Sequence, residues 1–287
     1  MRFSVISSLF ALAATGSAAV VGKGKGKAGG VGPAAVKPDI LLVPGAWHTP
    51  AAFDLVRDQL TRRGFQSTAV PLLTVGPTDP LNQGVPEDAA AIRAELEKLV
   101  DAGKEVMVIS HSYGGVPAAA AVEGLNLKDR AAQGQKGGVL MVVHMTSFAA
   151  KVGTSLMDSL GGNPLPWFNI TGDILTPINP VKVFYADVEP KLAEKSAEAI
   201  LPSSLRAMTD KGTFAPWDAG FQMGFIHTED DQAIPIAIQK QMAAQFPRRL
   251  FLCHPQVQPL AFPQHAGAAQ RGYRAGFRVC QEAVKGF

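Results

Sequence analysis

The sequence predicts an α/β fold: a mostly parallel central sheet with helices on both faces and a helical lid inserted late in the sheet. Three observations lead there. Short apolar runs alternate with amphipathic stretches over residues 39–147, the pattern of buried parallel strands joined by crossover helices. One run passes straight into Ser110-His111-Ser112-Tyr113-Gly114-Gly115, a tight serine-centred turn that opens a helix. Over 150–215 the strand pattern gives way to helix-like pieces, Pro and Gly, with no strong strand.

Ile40-Leu41-Leu42-Val43 stops at Pro44-Gly45 and reads as a strand buried on both faces. Thr49-Pro50 offers an N-cap and a Pro at the first helical position, and Phe53, Val56 and Leu60 follow at helical spacing up to Gly64. A second strand is expected over Ser67 to Leu72. Glu87 to Ala102 is an amphipathic helix with Ile92, Leu96 and Leu99 on one face, closed by Gly103. Val106 to Ile109 is a buried strand, an Ala-rich helix follows to Glu123, and Gly138 to Met145 is the next strand. Strand character returns at Phe221 to Ile226 and at Arg249 to Cys253.

Composition bounds the function. The 287 residues suit one large domain or two small ones, and 47% hydrophobic with 18% charged residues excludes a disordered chain or a coiled coil. The net charge of +3 conceals three segments. Residues 1–38 hold five basic groups and no acid. Residues 248–287 hold six basic groups and only Glu282. The body, 39–247, has 16 basic and 23 acidic groups, which argues against a nucleic-acid-binding face. Two cysteines, Cys253 and Cys280, are too few for a disulfide scaffold or a cysteine-rich zinc site.

The N-terminus reads as an address. Arg2, the apolar run Phe3 to Ala14 and the small residues Ser17-Ala18-Ala19 make a secretory signal over 1–19. The run is too short to span a bilayer, and a short membrane anchor is the alternative. Residues 20–37, rich in Gly and Lys, read as a solvated linker. A sequon at Asn169-Ile170-Thr171 is a glycosylation candidate on a secreted protein.

Ser112 carries the chemistry. A sharp strand-to-helix turn strains the serine backbone, lifts its hydroxyl clear of the sheet and needs small residues where backbones approach. The competing reading is a helix-capping serine in a plain loop. Around it the chain resembles the α/β-hydrolase superfamily over about residues 38–252, in the small single-domain branch that includes esterases, plant methylesterases and hydroxynitrile lyases. The stretches LLVPGAWHTPAAF, VMVISHSYGG, KVFYADVEP and TEDDQAIPIAIQ carry the likeness, with Ser110 in place of the usual first Gly of the elbow. The resemblance implies Ser112 as nucleophile. It implies oxyanion donors at the N–H groups of Ala46 and Tyr113, each worth about 3 kcal/mol. Trp47 and His48 would lie near the pocket floor and pack there.

In the acid loop Thr228 to Pro235, the Pro spacing favours Asp231, with Asp230 in reserve. Taken alone such a pair is a turn or cap; the order Ser, Asp, His raises it. His144 and His227, in or at the end of apolar strands, read as satisfied structural histidines.

The catalytic histidine is the difficulty. The resemblance implies a stretch like H-S-P-F-L-S-x-P-E after the last strand. The tail 253–287 has instead His254 and His265, no Asp and no apolar periodicity. Codon degeneracy offers an account. Read from the second base of each codon, the codons allowed for Val257 to Ala268 permit Ser-Ser-His-Ser-Pro-Phe-Leu-Ser-Met-Pro-Glu. The shifted His falls at the position of Pro259, 28 residues past Asp231. The expectation is a frame slip between about residues 247 and 257, which transcript sequencing decides. As the chain stands, His254 is the candidate, ending the run RLFLCH after Asp231, and His265 is the weaker one. Cys253 and Cys280 lie at or in this tail, and no disulfide is assigned to them.

The expected function is a secreted, extracellular serine hydrolase of esterase type. It would act on a small apolar substrate without metal or organic cofactor and without a nucleic-acid or membrane partner. The alternatives are a binding protein on the same fold, with weak or no catalysis, and a hydroxynitrile lyase-type enzyme. Apolar lid residues (Met157, Trp167, Phe168, Phe184, Met208, Phe214, Trp217) suit a buried pocket or the lid's own core. Oligomeric state is not legible.

Overall fold

The structure, a computed structural model, describes residues 37–247 and the backbone of 249–254. The signal, nearly all of the linker, His265 and Cys280 lie outside the described residues.

The chain enters the sheet one strand from an edge, steps out to that edge and then crosses the sheet to the other side. Strand β1 (Asp39–Val43) leads through a 3-10 turn (Pro50–Phe53) to α1 (Asp54–Arg62) and the short β2 (Ser67–Ala69). Helix α2 (Val85–Asp101) precedes β3 (Glu105–Ser112), and α3 (Gly115–Ala121) follows it directly. Helix α4 (Leu127–Ala132) leads to β4 (Gly138–Ser147). After an insertion come β8 (Met223–Thr228), α9 (Ile236–Ala243) and β9 (Arg249–His254). The sheet order is β2-β1-β3-β4-β8-β9, and every pairing in it is parallel. The C-terminal ends of all six strands therefore share one edge, where ligands bind in open parallel sheets.

Strand alternation divides the core. Leu41, Val43, Val106 and Val108 face α2 and α3 in one apolar cluster with Ile92, Leu96 and Val116. Ile40, Leu42, Met107 and Ile109 face α1 in a second with Phe53, Val56 and Leu60. Each such side chain contributes about 1.5–3 kcal/mol by leaving water. Gly103, at φ +79, supplies the left-handed residue that ends α2 and turns the chain into β3.

Several expectations are corrected. Thr49 makes no side-chain cap, and Pro50 opens a 3-10 turn before α1 begins at Asp54. β2 ends at Ala69, where its register with β1 stops, although Val70 N–H still donates to Leu42 O at 3.0 Å. The sheet runs on through His254, past the expected boundary at 252. Helix α4 escaped prediction; its signal is Asn126, whose side chain accepts from Lys128 N–H at 2.9 Å.

The insertion between β4 and β8 is not purely helical. It holds α5 (Leu156–Ser159), α6 (Pro180–Phe184), α7 (Pro190–Glu198) and α8 (Arg206–Thr209). It also holds a three-stranded antiparallel sheet of β5 (Phe168–Thr171), β6 (Ile174–Pro177) and β7 (Ser203–Ser204). These strands are short, and β5 is mostly exposed, so no buried apolar run announces them.

Candidate active site

Ser112 ends β3 with φ +50, a left-handed conformation that a non-glycine residue adopts at a cost of about 1–3 kcal/mol. Its carbonyl is pinned by two donors, Phe148 N–H at 2.9 Å and Ser147 Oγ at 2.8 Å, and Gly114 N–H closes the turn onto His111 O at 2.9 Å. Space explains the glycines. A Cβ on Gly114 would stand 2.2 Å from Pro44 O, one on Gly115 2.3 Å from Phe148 O, and one on Gly45 2.8 Å from Ser112 Cβ. Ser110 fits in place of the usual Gly because its hydroxyl finds partners in the core, Ser147 Oγ at 3.2 Å and Val143 O at 3.4 Å.

Ser112 lines a cavity of about 10 Å³, room for about one water, with Ala46, Trp47, His48, His111, Phe184, Ala233 and Ile234. The structure thus brings together Ser112, the loop holding Ala46 and the loop that begins at Asp231. Tyr113 is fully buried, and its hydroxyl donates to Asp88 Oδ2 at 2.7 Å. Asp88 also accepts from Thr74 Oγ1 at 2.6 Å and Thr74 N–H at 3.1 Å. Burial outweighs these bonds and raises the Asp88 pKa.

Asp231 is buried, whereas Asp230 is exposed. Asp231 Oδ1 accepts from Ala233 N–H and Ile234 N–H, both at 2.8 Å, and Oδ2 from Thr228 Oγ1 at 3.0 Å. Thr146, left-handed at φ +42, sets its hydroxyl 2.8 Å from that of Thr228. Burial outweighs the three hydrogen bonds and carries the carboxyl up to about 6. His254 is placed only through its backbone, which pairs with Thr228 at the same sheet edge.

Trp47 and His48 do more than pack. Trp47 is left-handed at φ +66. His48 Nδ1 lies 2.7 Å from Ala46 O and Nε2 3.0 Å from Tyr185 Oη. Burial lowers the His48 pKa to about 4; burial and the nearby His48 lower that of His111 to about 3, so both rings are neutral at pH 7. His144 corrects an expectation. It stacks on Phe225 and contacts Trp217 and Phe246, yet among the described residues neither ring nitrogen has a hydrogen-bond partner, so its role there is packing. His227 is buried against Phe225, with centroids 4.4 Å apart.

Sequence reasoning missed two participants. His111 faces the cavity although its strand neighbours are core residues, and no periodicity marks the elbow's change of direction. Asp88 reads as one more surface charge on α2. Among the described residues, no three His, Cys, Asp or Glu side chains gather as metal ligands, and no helix is long and apolar enough to cross a membrane.

A parallel sheet whose central strand ends in a strained serine, beside a glycine loop and a buried aspartate at the same edge, defines the α/β-hydrolase class. The sequence pattern of the Alpha/beta hydrolase family matches residues 40–265, and the chain belongs to that family. It is 31% identical over 217 residues to alpha/beta hydrolase nvfD of Aspergillus novofumigatus, a match covering 73% of this chain and 84% of that protein. Among solved structures it is similar to the methylesterase MES16 from Arabidopsis (TM-score 0.60, 17% identity, 78% and 92% of the two chains). It is also similar to polyneuridine aldehyde esterase (TM-score 0.60, 14% identity, 76% and 90%). At these identities the likeness is one of fold.

Proposed function

We propose that this protein is a secreted serine hydrolase of esterase type, cleaving an ester or related acyl bond of a small apolar molecule. One observation carries the reading: Ser112, left-handed at the end of β3, shares its cavity with Ala46 and with the loop that Asp231 begins. Ser112 Oγ attacks the acyl carbon while a histidine takes its proton. The N–H groups of Ala46 and Tyr113 take the developing oxyanion. The histidine then protonates the leaving alcohol, and water attacks the acyl-enzyme by the same route. Asp231 orients the histidine and supports its cation.

The histidine is His254 or, in the shifted frame, the residue at the place of Pro259. Without one, turnover falls by about 10⁶. The departure of 255–268 from the expected histidine motif favours a second reading, small-molecule binding without turnover.

A fluorophosphonate probe tests the proposal. Labelling that disappears in Ser112→Ala supports it. Absence of labelling in both this chain and a version with the frame restored overturns it. Hydrolysis of p-nitrophenyl acetate by the restored version alone would assign the histidine to the shifted frame.

A further inference from the structure

Trp47 follows Ala46 and carries the backbone strain of its loop. Its polar groups are all taken by the insertion. Its N–H donates to Ser203 Oγ at 2.8 Å, its Nε1–H to Leu175 O at 3.0 Å, and its carbonyl accepts from Leu201 N–H at 2.9 Å. Its ring packs against Trp167, Phe168 and Phe184, with centroids 5.5, 5.9 and 5.5 Å away. These six residues belong to the insertion. Within the loop itself the backbone makes a long bond, His48 N–H to Gly45 O at 3.4 Å. A left-handed aromatic residue persists only where its surroundings over-determine it, and here three hydrogen bonds and three rings from the insertion do so.

We infer that Trp47 is a positioning residue through which the docked insertion sets the Ala46 N–H against Ser112. This rests on the reading of Ala46 as an oxyanion donor. The insertion then does two things at once: it roofs the pocket through Phe184 and it holds the donor loop. Any displacement of β6 or β7 carries the Ala46 amide with it, because Trp47 is bonded to both the β6 backbone and the β7 side chain.

Two mild variants test this. Ser203→Ala removes the acceptor for Trp47 N–H, and Trp47→Phe keeps a ring but removes the indole donor. Ser204→Ala is the control, since it deletes a bond of the same strand that goes to Pro80 O at 2.8 Å instead. Two readouts are compared: the rate of fluorophosphonate labelling, whose phosphoryl oxygen occupies the oxyanion position, and exchange of the Ala46 amide by NMR. The expected result is a 10- to 100-fold slower labelling and at least tenfold faster Ala46 exchange in both test variants, with the control unchanged. Where p-nitrophenyl acetate is turned over, kcat falls and KM holds. Labelling at the control's rate in both test variants overturns the inference. The variants are made in whichever of the unaltered chain and the frame-restored version labels; if neither labels, the reading of Ser112 fails separately. Exchange then decides alone: faster Ala46 exchange supports the inference and unchanged exchange overturns it.

Discussion

Tyr113 donates its hydroxyl to Asp88 at 2.7 Å inside the core, one residue past Ser112. The elbow is thereby tethered to helix α2 as well as to its own strand. Asp88→Ala strands the Tyr113 hydroxyl and the Thr74 pair, and is expected to cost about 2–4 kcal/mol in urea unfolding. Tyr113→Phe leaves Thr74 on the carboxylate and is expected to cost about 1 kcal/mol. The double variant should show coupling, since each change removes the other's partner.

Ser112→Gly relieves a left-handed residue without deleting any packed apolar group. Stability is expected to rise by about 1 kcal/mol while fluorophosphonate labelling vanishes. A loss of stability would mean that the elbow is not strained.

Acid stability follows from the buried histidines. His48, His111, His144 and His227 fold with pKa values of about 3 to 4. Unfolded, they take protons below about 6.5. The unfolded state therefore binds more protons between pH 6.5 and 4. Stability is full above that window and falls through it by up to about 1.4 kcal/mol per pH unit for each ring. Asp231 acts oppositely. Its folded value of about 6 lies above the unfolded 3.8, so it favours the native state below pH 4 and loses that preference as pH rises to 6. Asp231→Asn should consequently melt higher than the unaltered chain at pH 7, with the difference shrinking toward pH 4. Thermal melts across that range check both statements.

Asn169, Ile170 and Thr171 are all exposed on β5, at the outer hairpin of the insertion. Expression through a eukaryotic secretory route is expected to add one N-linked glycan there. A gel shift on deglycosylation that is lost in Asn169→Gln checks it, and no shift would count against either the site or the route.

The sheet was legible because its strands are buried on both faces. Ile40 to Val43 and Val106 to Ile109 allow no other reading once helices flank them. The tight turn at Ser112 was legible for the same reason, as the polar end of an apolar run. β5, β6 and β7 were hidden, since short, partly exposed strands in the insertion leave no apolar signature. Asp88 was hidden because a carboxylate on an amphipathic helix looks solvated until Tyr113 and Thr74 fold onto it. The Ser203 and Leu175 contacts of Trp47 span more than 120 residues, a distance over which pattern carries no information.

Asp231 takes its hydrogen bonds from Thr228, Ala233 and Ile234, so its orientation is complete by residue 234. Among the described residues it is a socket assembled within the single segment 228–234. On the proposed reading of Asp231, an imidazole arriving there would find its carboxylate already oriented by these bonds. The proposed serine chemistry would then hinge on the downstream segment alone, since the aspartate's setting is built before β9 begins.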